Sequence, residues 1–265
     1  MYLKRRKTAK YLVFAGSLRY HLLKNTFFIV LCICLCISIS GQIRETKSMQ
    51  IYLFPGQGSD ARIFKNLQLD SSYELVYINY PVPVKGSSMK DYALALAGQI
   101  DTTKPFVLVG VSLGGMICTE LCGIIHPVQT IIISSARKRS DLPGRYTFMK
   151  YVPIYKLVPA RLIKMGAFIA QPIVEPDRRY DKKTFISMLK GKDPKFLKRT
   201  TGMIINWEQS GTQGNIVHIH GTSDHTIPLR NVHSDIIINK GSHMMTYTRA
   251  DEISSLINDM LCQLN

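Results

Sequence analysis

A serine between glycines, Ser112, is the residue of this sequence best placed to act as a nucleophile. The segment reads F-V-L-V-G-V-S-L-G-G over residues 106–115, so a β-branched apolar run ends at Gly110 and an apolar segment of helical length begins near Gly114. The spacing G-x-S-x-G between a strand and a helix is typical of a tight turn, because glycine lets the two backbones approach without a side-chain clash. We therefore predict that the Ser112 hydroxyl stands clear of a sheet, where it can attack a carbonyl carbon.

Such a serine needs a base and an orienting acid, because its hydroxyl is a weak nucleophile at neutral pH. Two later segments supply them just beyond apolar runs: H-G-T-S-D ends at Asp224, and G-S-H-M contains His243. Functional groups of parallel sheets gather at the carboxyl ends of the strands, so both side chains are expected beside Ser112. Asp141 is the alternative acid, but the basic residues around it favour a surface ion pair.

The other histidines and the cysteines are interpreted as structural. His218 and His220 alternate on one predicted strand, but no further ligand follows at a convincing metal-site spacing. Cys118 and Cys122 lie four residues apart on a predicted helix and are expected to be buried as small apolar residues. The six cysteines do not form a disulfide framework, and we expect neither a metal ion nor an organic cofactor.

Strand-like and helical patterns alternate after residue 48. Strands are predicted at residues 50–54, 74–79, 106–110, 130–133, 216–220 and 235–239. Helices are predicted at residues 92–100, 113–125 and about 250–261, the first behind a capping box of Ser88 and Asp91 and the last behind a capping pair of Thr248 and Asp251. The alternation predicts the α/β class, with a mostly parallel sheet covered by helices on both faces.

One stretch, residues 137–212, interrupts this alternation and carries most of the positive charge. Residues 137–200 contain 17 Lys and Arg against 5 Asp and Glu, in a chain whose net charge is +16. Aromatic and aliphatic residues lie among the bases, and Asp193 with Pro194 marks the start of a helix. We predict a mainly helical, basic lid inserted in the sheet domain. The rest of that domain is slightly acidic, which argues against a nucleic-acid-binding protein.

The N-terminal residues 1–41 have the pattern of an export signal. Basic residues without any acid precede an uncharged apolar run at 26–40, and small polar residues follow. Cleavage after Ser40 or Gly41 is predicted, with an uncleaved membrane anchor as the alternative. In both cases the domain at 49–265 is expected outside the cytoplasm, because a basic flank stays inside. A cytoplasmic protein that starts at Met49 is the competing interpretation.

Three motifs together resemble the α/β-hydrolase fold family. They are G-V-S-L-G-G at 110–115, H-G-T-S-D at 220–224 and G-S-H-M at 241–244, and the resemblance covers about residues 50–265. It implies that Ser112 is the nucleophile, that His243 is the general base and then the general acid, and that Asp224 orients the imidazole.

The same resemblance implies an oxyanion hole made of two backbone amides. One belongs to Leu113, directly after the nucleophile, and the other is assigned to Gln57 in the loop F-P-G-Q-G-S-D after the first strand. Pro55 stands where the family usually has histidine, a departure that changes the hydrogen bonding of the loop.

The favoured prediction is a serine hydrolase that cleaves small, apolar carboxylic esters through an acyl-enzyme on Ser112. The loop F-P-G-Q-G-S also resembles malonyl-CoA-type acyltransferases, so transfer to a non-water acceptor is the first alternative; the chain after Ser112 is short for that family, and the following helix has no arginine. A non-catalytic binding protein on a hydrolase fold is the second. The N-terminal segment and the basic lid also suggest contact with an anionic membrane surface.

Overall fold

Six parallel strands form the sheet that positions the site. The computed structural model describes residues 49–211 and 214–264 and orders the strands β2-β1-β3-β4-β5-β6. The strands are β1 Gln50–Phe54, β2 Glu74–Tyr77, β3 Phe106–Val111, β4 Gln129–Ile133, β5 Ile216–Gly221 and β6 Ile236–Ile238. Every predicted strand is present, with ends that differ by at most two residues. All residues of β1, β3 and β4 are buried, as expected for central parallel strands covered on both faces.

Eight α-helices lie in the described residues. They are α1 Met89–Ala97, α2 Leu113–Ile125, α3 Gly144–Tyr151, α4 Ala160–Val174, α5 Lys182–Gly191, α6 Pro194–Ile205, α7 Met245–Thr248 and α8 Ala250–Cys262. The capping box of Ser88 and Asp91 is confirmed at α1, and Asp193 caps α6 through the Lys195 N–H.

The predicted capping pair of Thr248 and Asp251 is wrong. Thr248 is the last residue of α7, and α8 begins after Arg249 without a side-chain cap. The Thr248 hydroxyl instead lies 3.2 Å from a carboxylate oxygen of Asp177, to which it donates. Thr248 therefore belongs to the short helix α7, and the sequence pattern had assigned it to the N-terminal cap of α8.

Two apolar layers cover the two faces of the sheet, because successive side chains of a strand point to opposite sides. Tyr52 and Phe54 of β1 pack on one side with residues of α1 and α2. Ile51 and Leu53 of the same strand pack on the other side with residues of α8. The sheet therefore has helices on both faces, which confirms the predicted α/β class.

The chain between β4 and β5 forms the insertion, which we define as residues 139–205. Its described residues form α3 to α6 and short 3₁₀ turns, and no strand, as the mainly helical interpretation predicts. Asp141 at its start is buried and accepts hydrogen bonds from the backbone N–H groups of Arg137 and Lys138. The predicted surface ion pair of Asp141 is therefore wrong; Arg137 pairs with Asp235 instead.

The described residues all belong to one structural unit. The predicted export signal at 1–41 falls outside the described residues. Within 49–211 and 214–264, no helix combines the length and the apolar character needed to cross a membrane.

Candidate active site

Ser112 stands at the junction of β3 and α2 in a strained backbone conformation. Its φ is 54° and its ψ is −118°, a region that residues other than glycine rarely adopt. A Cβ atom on Gly114 would lie 2.1 Å from the Phe54 carbonyl oxygen, and one on Gly110 would lie 2.5 Å from the Gly114 carbonyl carbon. Both glycines of the motif are thus required by close backbone contacts, as the sequence analysis predicted.

Three loops at the carboxyl ends of strands bring Ser112, His243 and Asp224 together. His243 Nε2 lies 2.9 Å from Ser112 Oγ, and His243 Nδ1 lies 2.8 Å from Asp224 Oδ2. A carboxylate can only accept, so Nδ1 carries the proton and donates to Asp224, while Nε2 is free to accept from the serine hydroxyl. The three residues proposed from the sequence form one hydrogen-bonded chain.

The charged groups of this hydrogen-bonded chain of three residues favour a basic imidazole at His243. Burial lowers the pKa of His243, but the charge of Asp224 and its hydrogen bond outweigh that effect and leave the pKa raised above its usual value of 6.5. Burial raises the pKa of Asp224, yet His243 and the backbone N–H of Ile227 hold it below its usual value. Asp224 therefore stays ionised at neutral pH and stabilises a protonated His243.

Two buried histidines hold the loop that carries Asp224. His220 Nε2 donates to the Ile227 carbonyl at 2.8 Å, and the Ile227 N–H donates back to Asp224 Oδ1 at 2.8 Å. His218 Nε2 lies 3.0 Å from His220 Nδ1. Burial lowers the pKa of both histidines, that of His218 to about 3, so both are neutral. Their alternation predicted core histidines, but only the structure shows that they support the acid.

The loop after β1 lies directly against the serine. A Cβ on Gly56 would lie 3.4 Å from the Ser112 Cβ, and the Gly56 N–H donates to Ser59 Oγ at 3.0 Å. The side-chain nitrogen of Gln57, Nε2, is within hydrogen-bond distance of three oxygens of α6. They are Leu197 O at 3.1 Å, Thr200 Oγ1 at 2.8 Å and Thr201 Oγ1 at 2.9 Å. The insertion thus anchors the Gln57 side chain, and the preceding residue, Gly56, lies beside Ser112.

Leu113, the other residue assigned to the oxyanion hole, is the first residue of α2. Backbone N–H groups of the first helical turn have no acceptor within their own helix. They also lie at the positive end of the helix dipole, which stabilises negative charge. The Leu113 amide therefore has the properties that a developing oxyanion requires.

A cavity of about 170 Å³ opens beside Ser112 and His243. The insertion supplies much of its wall, through Tyr146, Ala167, Ala170, Gln171, Glu175, Leu189, Leu197 and Ile204. Most of these side chains are apolar, but Gln171 and Glu175 add polar groups that the sequence analysis missed. No spacing pattern marks them, because helix packing alone brings them to the serine.

Solved structures with this architecture include several hydrolytic enzymes. An enol-lactonase from Burkholderia xenovorans LB400 aligns with a TM-score of 0.65 and 14% identity, over 83% of this chain and 93% of that one. A thermophilic esterase from Thermogutta terrifontis aligns with a TM-score of 0.63 and 16% identity, over 82% and 90%. A lipase-esterase related protein from Clostridium acetobutylicum ATCC 824 aligns with a TM-score of 0.59 and 15% identity, over 80% and 94%.

The sequence itself matches no protein-family model and no curated protein sequence. The parallel sheet, the helices on both faces and the similarity to these structures define the class of the protein, which has the α/β-hydrolase fold.

Proposed function

We propose that the protein is a serine hydrolase that cleaves carboxylic esters. The observation that carries the proposal is the hydrogen-bonded chain from Ser112 Oγ through His243 to Asp224. Its order and distances are those that acyl transfer through serine requires. Similarity to the fold of esterases and a lactonase supports the same reaction class.

In the first half of the reaction, His243 Nε2 removes the hydroxyl proton as Ser112 Oγ bonds to the acyl carbon. The carbonyl oxygen becomes an oxyanion, which the backbone amides of Leu113 and Gln57 stabilise. Collapse of this intermediate breaks the ester C–O bond, and His243 gives its proton to the departing alcohol. In the second half, His243 takes a proton from water as the water oxygen bonds to the acyl carbon of the acyl-enzyme. His243 then returns this proton to Ser112 Oγ as the bond to the acyl carbon breaks and the acid is released.

Labelling with a fluorophosphonate probe tests this proposal, because the probe reacts with an activated serine. We expect the intact protein to be labelled, Ser112→Ala to be unlabelled, and the control Ser71→Ala to be labelled as strongly as the intact protein. Ser71 is exposed near the start of β2, at the opposite edge of the sheet. Equal labelling of Ser112→Ala and the intact protein contradicts the mechanism. An alcohol added as acceptor tests the acyltransferase alternative. If a new ester forms at the expense of hydrolysis, that alternative is supported.

The reaction should lose rate in acid, because only neutral His243 can accept the serine proton. Since the pKa of His243 is raised above 6.5, kcat/KM should rise with pH to a midpoint above 6.5 and fall about tenfold per pH unit below it. Asp224→Asn removes the charge that raises this pKa, so its midpoint should move to lower pH and its rate should fall by about 10⁴-fold.

Hydrolysis of a soluble short-chain ester from about pH 5 to about pH 9 measures both profiles. His225→Ala is the control, because His225 is exposed and adjacent to Asp224 in sequence. A midpoint below 6.5 in the intact protein is incompatible with the proposed base.

The volume of the cavity supports a small substrate group. A protein cavity of about 150 Å³ holds benzene, so about 170 Å³ corresponds to a chain of about six carbons. We expect kcat/KM for a series of acyl esters to peak at about four to six carbons.

Leu189→Ala should move this optimum to longer chains, because the Leu189 side chain is buried in the cavity wall. Leu256→Ala is the matched control, since Leu256 lies in α8 and packs on the other face of the sheet. An optimum at about twelve carbons in the intact protein contradicts this assignment of the cavity.

We also propose that the domain at 49–265 is exported, on the basis of the charge and hydropathy pattern of residues 1–41. N-terminal sequencing of the mature protein tests this. A start directly after Ser40 or Gly41 supports cleavage, and retention of the segment in the membrane supports an anchor. A cytoplasmic protein that starts at Met49 overturns the proposal.

A further inference from the structure

The helix α4 of the insertion is apolar on two opposite sides, and the described residues cover only one of them. Ala167, Ala170 and Gln171 face the cavity beside Ser112. The outward side carries four large apolar residues at helical spacing, Leu162, Met165, Ile169 and Ile173, and all are exposed. Ile169 is 68% exposed and Ile173 is 72% exposed. A helix that is apolar all round normally has a cover on every side.

The segment before α4 continues the exposed apolar surface. Phe148, Tyr151, Ile154 and Leu157 are all exposed, Leu157 to 84%. These four residues and the four of α4 form what we call the outer apolar face. Eight large exposed apolar side chains within residues 148–173 exceed the scattered ones that are normal on a surface. Large exposed apolar surfaces typically mark sites that contact a membrane or another protein.

A strongly basic groove adjoins the outer apolar face. The groove has a volume of about 750 Å³. Among the described residues, its lining includes Lys85, Lys156, Lys195, Lys198 and Arg199 and no carboxylate side chain. The lining also includes Tyr155, which follows Ile154, and Ala160, which is the first residue of α4. The groove and the outer apolar face are therefore adjacent along the chain.

Within the part of the chain that the structure describes, no carboxylate of the groove wall neutralises the cations of the groove. Lys198 Nζ donates to the carbonyls of Lys156 and Val158, and the Arg199 guanidinium donates to the Pro83 carbonyl. Lys85, Lys156 and Lys195 are exposed. Two carboxylates next to the lining are used in helix caps: Asp91 bonds to Ser88 in the capping box of α1, and Asp193 accepts from the backbone N–H of Lys195. The groove therefore offers positive charge to an anionic partner.

We propose that the outer apolar face and the basic groove together dock on an anionic phospholipid surface. Apolar side chains would enter the boundary between headgroups and acyl chains, while the groove lysines contact headgroup phosphates. A second copy of the chain is a poorer occupant, because it would bring the same basic groove and like charges repel. This inference is independent of the hydrolase proposal, because it makes no use of Ser112 or its partners.

A tryptophan reporter tests the contact locally in the full chain. The single natural tryptophan, Trp207, is buried and is common to all variants, so its signal can be subtracted. Ile169→Trp places a reporter on the outer apolar face, and Ile237→Trp places one on the exposed side of β6 as a control. Vesicles contain phosphatidylcholine with about one third phosphatidylglycerol, with brominated acyl chains as quenchers.

We expect Ile169→Trp emission to shift to shorter wavelength and to be quenched at least twofold more than that of Ile237→Trp. Both variants have the same N-terminal 48 residues, so the difference between them reports the insertion. Equal quenching of the two reporters overturns the proposal. A shift of the Ile169→Trp emission to shorter wavelength in the absence of lipid also overturns the proposal. If this shift grows with protein concentration, a second copy covers the outer apolar face. If it does not, another segment of the same chain covers it.

The role of the groove is tested in the Ile169→Trp background. The vesicle concentration for half-maximal quenching should rise about fivefold in Lys156→Gln and in Lys195→Gln. The control Lys104→Gln, at the opposite edge of the sheet, should leave this concentration unchanged. Neutral phosphatidylcholine vesicles, or salt raised from about 0.1 M to about 1 M, should weaken quenching similarly. Quenching that is equal on neutral and anionic vesicles and insensitive to salt overturns the anionic assignment. Soluble glycerol phosphate should compete only weakly, and full competition by it would show that the groove takes a free phosphate instead.

Discussion

His243→Ala is expected to lower kcat/KM for a short-chain ester by about 10⁶-fold, the largest loss that any single substitution in this protein should cause. The imidazole is the group within hydrogen-bond distance of both Ser112 and Asp224, at 2.9 Å and 2.8 Å. Without it, no base takes the serine proton and no acid protonates the departing alcohol. Alanine leaves a small cavity rather than a new charge, so the backbone around Ser112 should keep its position.

Steady-state hydrolysis measures this loss, and His225→Ala is the matched control because its side chain is exposed. The double variant Ser112→Ala/His243→Ala should be no slower than either single variant, since residues of one catalytic chain act as a unit. A loss of less than about 100-fold in His243→Ala, or losses that multiply in the double variant, would be incompatible with a shared mechanism.

Gly114→Ala is expected to reduce the free energy of unfolding by about 3 kcal/mol or more. The added Cβ would lie 2.1 Å from the Phe54 carbonyl oxygen and 2.8 Å from that of Pro55. Both are backbone atoms at the end of β1, so they cannot move aside as the end of a flexible side chain would. Because Pro55 leads into the Gln57 loop, kcat/KM should fall together with stability.

Gly166→Ala is the matched control, because Gly166 also lies within a helix but has no atom within 4 Å of an added Cβ. Alanine there should be neutral or stabilising by up to about 1 kcal/mol. Urea unfolding followed by circular dichroism measures both variants. If Gly114→Ala is as stable and as active as Gly166→Ala, then the close approach of α2 to β1 is wrong.

Much of the fold follows from local signals. The apolar runs of β1, β3 and β4 predict buried parallel strands, because such strands must be apolar on both faces. The glycines around Ser112 predict the strained elbow, because no side chain fits there. Asp224 and His243 were identified because each follows a strand, and strand ends of a parallel sheet meet at one edge.

Other features depend on burial in the folded chain or on contacts between segments far apart in the sequence. Asp141 lies among basic residues, yet its side chain is buried and accepts hydrogen bonds from the neighbouring backbone N–H groups of Arg137 and Lys138. Thr248 matches a capping pattern, yet a contact with Asp177 from the insertion and the short helix α7 use it otherwise. The spacing of residues along one element shows neither which side chains are buried nor which distant segments they contact. It therefore could not predict the burial of Asp141 or the contact of Thr248 with Asp177.

The sequence by itself determined the α/β class, the elbow and the three residues of the hydrogen-bonded chain, since each depends on a strand, a turn or a glycine that local physics specifies. Only the tertiary structure decided how the insertion packs on that site. Helix packing places Gln171, Glu175 and Leu189 around Ser112, and the same packing leaves Ile169 and Ile173 exposed on the opposite side. Which of two apolar sides of a helix faces the protein depends on the neighbouring surfaces, and the periodicity of the helix carries no information about them.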